Sequence, residues 1–216
     1  MTSQRSPDPK LPSPHRIADI AYSDSDTVPE YSNKDKPNGA DDEKLVIIVK
    51  TIDMITKQER ERVIDNVISE INHYKRDHFK IFVSPHNSTI TLASTLKRHE
   101  KIPVHVSYSL AEPKQEKIPI LTQTEIRQLK LDIEVGRVSF SSDKTETPDD
   151  VAKRLQNVLD DITATHPNVI MFVGPVAYNT FVEVLTNKKL PKLSKSSMCL
   201  DVFKRHKKTW ELVPKK

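Results

Sequence analysis

The sequence predicts an α/β fold, a three-layer α/β/α sandwich around a mostly parallel sheet. Three observations carry this. Two continuous apolar runs, Leu45-Val46-Ile47-Ile48-Val49 and Val169-Ile170-Met171-Phe172-Val173, read as strands covered on both faces. Segments with helical periodicity separate the strand candidates along the chain. Strands that alternate with helices bury their apolar faces as a parallel sheet between helical layers.

Residues 1–43 are rich in Pro, Ser, Asp and Lys and lack apolar periodicity, so a disordered tail is expected there. The domain spans 44–216. After the first strand, Thr56 with Glu59 three residues on forms a capping-box signature. Val63, Ile64, Val67, Ile68 and Ile71 then recur on one helical face. Lys80-Ile81-Phe82-Val83 reads as the second strand and 87–98 as the second helix, with Ile90, Ala93 and Leu96 inward. Val104 to Tyr108 alternates as a third strand. A polar excursion from Leu110 to Thr147 holds one short helix near 125–130. Thr147 as N-cap, Pro148 at the first helical position, and Asp149 and Asp150 at the positive end of the dipole mark the clearest helix start. Val151, Leu155, Val158, Leu159 and Ile162 form its apolar face, and Pro167 with Asn168 ends it. A helix through Phe181, Val182 and Leu185 follows the second apolar run. Segments 200–203 and 209–213 are expected to pair as a closing hairpin.

Composition narrows the function classes. The 216 residues suit one domain plus a tail. No run of about 18 apolar residues is present, so no membrane span is expected, and the polar start of the chain lacks a signal peptide's apolar segment. A single cysteine, Cys199, precludes an internal disulfide framework and favours a cytoplasmic or nuclear setting. Eight histidines without metal-ligand spacing and one cysteine predict no metal site. Three glycines, Gly39, Gly136 and Gly174, are too scattered for a phosphate-cradling or dinucleotide loop, so no cofactor is expected. The net charge of +4 concentrates at Lys204, Arg205, Lys207, Lys208, Lys215 and Lys216. That end reads as a solvated basic hairpin or as a nucleic-acid contact. The tail carries the minimal PxxP form Pro9-Lys10-Leu11-Pro12, and Ser6-Pro7 and Ser13-Pro14 as proline-directed phosphorylation candidates.

Several short segments, in order, resemble the histidine phosphatase (phosphoglycerate mutase-like) superfamily. The branch most similar is that of the ubiquitin-associated and SH3-domain-containing phosphatases, the suppressors of T-cell receptor signalling, with the insect ecdysteroid-phosphate phosphatases. Val49-Lys50-Thr51-Ile52-Asp53 stands where the family has V-R-H-G-E. Ser84-Pro85-His86-Asn87-Ser88 stands where it has S-P-x-x-R. Leu110-Ala111-Glu112 resembles its L-x-E segment, Ile118-Pro119-Ile120-Leu121 the insertion of that branch, and Glu146-Thr147-Pro148-Asp149-Asp150 its E-S-x-D-D helix start. Val173-Gly174-Pro175 stands where it has V-S/A-H. The likeness covers about 44–214 and includes Cys199 and Trp210 near the end.

The resemblance implies a site in which the first-motif His is the nucleophile, two Arg and a late His bind the phosphoryl oxygens, and a carboxylic acid protonates the leaving oxygen. Such a site depends on dense positive charge and preorganised donors. In this chain the nucleophile position is Thr51, a weak nucleophile without an adjacent base. The first Arg position is Lys50, which keeps charge and loses the bidentate fork. The second is Ser88. The late His position is Pro175, which has neither side-chain donor nor N–H. Glu112 remains as the acid candidate or as a solvated glutamate. His86, two residues before Ser88, is either an exposed loop histidine or a pocket group. Ile52 replaces the motif glycine and crowds the phosphate position.

A catalytically inactive protein-binding or scaffold protein, a pseudophosphatase, is therefore expected. One alternative is a divergent phosphatase rebuilt on Lys50, His86 and Glu112, which requires a concave basic pocket at the strand ends. Another is nucleic-acid association through the basic hairpin. A protein partner is expected, and the resemblance adds homodimerisation.

Overall fold

The computed structural model describes residues 43–52, 56–75, 78–113, 121–134, 146–188, 198–207 and 209–214. The expected tail, apart from Glu43, lies outside the described residues. So do Asp53, the segment 118–120, Lys208 and the last two lysines.

Among the described residues seven strands form one sheet in the order β4-β3-β2-β5-β1-β6-β7. β1 (Lys44–Lys50), β2 (Lys80–Val83), β3 (Val104–Ser107), β4 (Asp132–Glu134) and β5 (Asn168–Val173) run parallel. β6 (Cys199–His206) and β7 (Thr209–Leu212) add an antiparallel hairpin beside β1, as the two terminal apolar segments predict. Leu45 through Val49 and Val169 through Val173 are fully buried, the burial expected of central strands in a covered parallel sheet.

Alternation along each strand sorts the core into two clusters. Leu45, Ile47, Val49, Ile81, Val83, Ile170 and Phe172 face α1 (Lys57–Tyr74) and α2 (Asn87–Glu100). Val46, Ile48, Phe82, Val169 and Met171 face α4 (Pro148–Thr165) and α5 (Pro175–Thr186). Helices on both faces make the three-layer sandwich. The short α3 (Gln123–Gln128) seats Ile126 in the first cluster.

Local chemistry sets the helix ends. Thr56 and Glu59, Thr122 and Glu125, and Thr147 and Asp150 each close a reciprocal capping box, satisfying amides that a helix start leaves open. In each box the hydrogen bonds from the threonine hold the carboxyl below its usual range. α1 and α2 end on Lys75 and Lys101 in the left-handed region. The predicted apolar faces of α4 and α5 are all buried. Two details differ from expectation. The third strand stops at Ser107, and Tyr108–Leu110 turns as a single 3-10 turn. β4 was not expected, because Asp132-Ile133-Glu134 offers one apolar residue among three.

The strand order creates a crevice. β5 enters between β1 and β2, while the chain leaves β1 toward α1 on one face and β5 toward α5 on the other. Loops that diverge to opposite faces open a cleft at the carboxyl ends of the strands. Among the described residues no helix is long and apolar enough to cross a membrane.

Candidate functional site

The residues singled out in the sequence converge on that crevice. Lys50 ends β1 opposite Val173, the end of β5. Lys50 is only 1% exposed, and its ammonium stands 5.7 Å from the Tyr178 ring centroid in α5, a cation–π distance. The Tyr178 hydroxyl donates to Asp201 Oδ2 of β6. Burial and then that carboxylate push the phenol well above its usual range. Thr51 is buried, and both its amide (2.8 Å) and its hydroxyl (3.1 Å) donate to the Val173 carbonyl. A carbonyl oxygen is too weak a base to take the hydroxyl proton, so this contact fixes Thr51 without activating it.

β2 delivers Ser84, Pro85 and His86 to the same end. The Ser84 amide donates to Phe172 O (3.1 Å). Thr89 Oγ1 donates to the carbonyls of Ser84 and His86, both at 2.7 Å, and folds this turn back onto α2. His86 precedes α2 and is buried, which corrects the exposed-loop reading. Its Nε2 accepts the Glu112 amide at 3.3 Å. Ser88 follows in the first turn of α2, half-buried.

Glu112 lies 5% exposed, so it is no solvated glutamate. Its Oε2 accepts from the Val176 amide and its Oε1 from the Ala177 amide, each at 3.0 Å. A carboxylate at the positive end of a helix dipole is favourably placed. The segment before it is held by Arg154 of α4, whose Nη1 donates to the carbonyls of Ser109 (2.6 Å) and Ala111 (3.1 Å). Arg154 in turn forms a bidentate pair with Glu146 at 2.7 Å in both contacts.

Sequence reasoning missed Arg154, Tyr178, Asp201 and the spatial role of Gly174. Glu146 stands out in the sequence only as a motif residue. Arg154 sits between apolar positions of an amphipathic helix and carried no signal distinguishing it from a solvated cation.

A cavity of about 500 Å³ lies elsewhere, between α1 and β6, walled by Asn66, His73, Tyr74, Met198, Leu200 and Val213 among others. Its described lining includes Glu70 and no lysine or arginine, so it is not the basic pocket that a rebuilt phosphatase site needs.

The mixed sheet and the position of this cluster define a phosphoglycerate mutase-like α/β domain. The sequence of residues 66–214 matches the histidine phosphatase superfamily (branch 1), and the chain belongs to that superfamily. The match starts within α1, downstream of Lys50 and Thr51. No curated protein sequence matches the chain. Among solved structures, YhfR of Bacillus stearothermophilus is similar with a TM-score of 0.55 at 13% identity, over 78% of this chain and 94% of that one. The ecdysone phosphate phosphatase of Bombyx mori, solved with tungstate, has a TM-score of 0.55 at 14% identity, over 80% and 92%. A mycobacterial glucosyl-3-phosphoglycerate phosphatase has a TM-score of 0.52 at 13% identity, over 79% and 97%. At these identities the likeness is one of fold.

Proposed function

We propose that this chain is a catalytically inactive histidine phosphatase-like protein, a pseudophosphatase that serves as a protein-binding or scaffold module in the cytoplasm or nucleus. The observation that carries this reading is the Thr51 hydroxyl at the end of β1, where an active member's nucleophile is expected: it donates to the Val173 carbonyl. Pro175, at the late His position, begins α5 and has no donor.

Magnitudes support loss of turnover. A hydrogen bond between charged partners contributes roughly 1.5–3 kcal/mol. Ser88, Pro175 and Thr51 remove three phosphate-binding or reacting groups, and Lys50 weakens a fourth. The combined loss is on the order of 5–10 kcal/mol, or roughly 10⁴- to 10⁷-fold in rate. The solved neighbours named as phosphatases share the scaffold, and the resemblance to the suppressors of T-cell receptor signalling suggests an ancestry in that branch.

The rebuilt site on Lys50, His86 and Glu112 is less well supported, because the His86 Nε2 and both Glu112 oxygens are engaged in holding backbone amides. Nucleic-acid binding by the basic hairpin is also less favoured. Lys204 pairs with Glu43 at 3.5 Å and Arg205 lies over Trp210, so part of that charge is used within the fold.

The test is turnover of a generic aryl phosphate by the full chain, alongside affinity capture with identification of bound proteins. No turnover above background, with a reproducible protein partner, is expected. Saturable hydrolysis abolished by Lys50→Ala or Glu112→Ala overturns the reading.

A further inference from the structure

α5 starts with a proline, so its first turn presents only the amides of Val176, Ala177 and Tyr178. Tyr178 donates to the Gly174 carbonyl at 2.9 Å. Val176 and Ala177 each donate to one oxygen of the Glu112 carboxylate, at 3.0 Å. Every donor of that turn is thus engaged, and the two aimed at the crevice hold an anion that comes from the chain itself.

Two features show that the protein is built around this occupant. The first is space. A β-carbon on residue 174 would stand 2.6 Å from the Glu112 carboxyl carbon and closer still to its Oε1. Gly174 has a φ of −74°, which any residue adopts, so the glycine answers a need for volume. The second is support. The Glu112 amide is held by His86, and the two carbonyls just upstream are held by Arg154, itself clamped by Glu146. An exposed capping glutamate needs none of this. Glu59 and Glu125 cap their own helices from the surface.

We propose that Glu112 is a built-in occupant of the anion position at the head of α5. Its carboxylate excludes phosphate-like oxyanions and latches α5 to the segment after β3. A free oxyanion must displace a group already tethered at high effective concentration. The inference rests on the inactive reading above, and it adds that the site is closed from within rather than merely stripped of side chains.

The test is titration of the full-length protein with sodium tungstate and with inorganic phosphate by calorimetry, at fixed ionic strength. Wild type is compared with Glu112→Ala, Glu112→Gln and the exposed control Asp149→Ala, which removes equal charge elsewhere. The expected result is tungstate binding at least about tenfold tighter in Glu112→Ala than in wild type, a smaller gain in Glu112→Gln, and none in Asp149→Ala. If Glu112→Ala does not fold, Glu112→Gln decides by the same comparison. Equal binding by wild type and the folded Glu112 variants, or a matching gain in Asp149→Ala, overturns the proposal. Aryl phosphate turnover is measured separately. Activity in wild type sinks the inactive reading, whereas the oxyanion comparison judges Glu112 alone.

Discussion

The carboxylate of Glu112 fills the volume that a side chain on residue 174 would need, with its carboxyl carbon only 2.6 Å from the position of a β-carbon there. Helix capping and backbone identity are thereby coupled across the crevice. Gly174→Ala is expected to lower stability by about 1–3 kcal/mol through overpacking. Glu112→Ala is expected to lower it by a similar amount, because two amides lose their acceptor. In the double variant the added methyl has room, so the losses should fall short of their sum by at least about 0.5 kcal/mol. Urea denaturation of the four proteins measures this, and simple additivity contradicts the contact.

Arg154 places the segment that carries Glu112. Arg154→Ala frees the carbonyls of Ser109 and Ala111 and leaves Glu146 without its partner. A loss of about 2–4 kcal/mol is expected in equilibrium unfolding. Arg154→Lys should recover less than half, because an ammonium cannot bridge a carboxylate and two carbonyls at once. Full recovery by lysine indicates that charge alone matters.

Thr51 is expected to act as a structural hydroxyl. Thr51→Val keeps the shape and removes the donor to Val173, so a destabilisation of about 1 kcal/mol is expected. Any background rate toward aryl phosphates should be unchanged. A rate that drops with Thr51→Val shows that the hydroxyl takes part in chemistry.

His166 ends α4 beside Phe82, and burial, then the nearby Lys80 charge, lower its imidazole from the usual value of 6.5. The unfolded chain therefore takes up this proton at higher pH than the folded one. Its stabilising contribution is fully present above about 6.5 and is lost as pH falls below that value toward the lowered folded pKa. Partial exposure to solvent tempers the effect. Urea midpoints measured from pH 7.5 to 5.5 should fall more for wild type than for His166→Gln, and parallel curves refute this.

Most of the fold was legible because its signals are local. The runs at Leu45–Val49 and Val169–Val173, the capping box at Thr56, the N-cap at Thr147, and the apolar stripe from Val151 to Ile162 depend on residues a few positions apart. β4 escaped because pairing beside β3, and not its own composition, makes Asp132–Glu134 a strand. Glu112 was legible as a candidate but not as a cap. Its acceptor role joins residues 64 and 65 positions apart, which nothing near Glu112 in the chain announces.

By itself the sequence determined the α/β sandwich, the starts of α1 and α4, and the presence of Lys50, Thr51, Ser88 and Pro175 where the resemblance expects charged or imidazole groups. Only the tertiary structure decided what occupies the crevice. The insertion of β5 between β1 and β2 brings α5 under the segment after β3. There the open amides of Val176 and Ala177 take the nearest anion, and Gly174 leaves room for it to be the chain's own. Hydrogen bonds of this kind are set by distance in space, which strand order controls and local residue pattern does not.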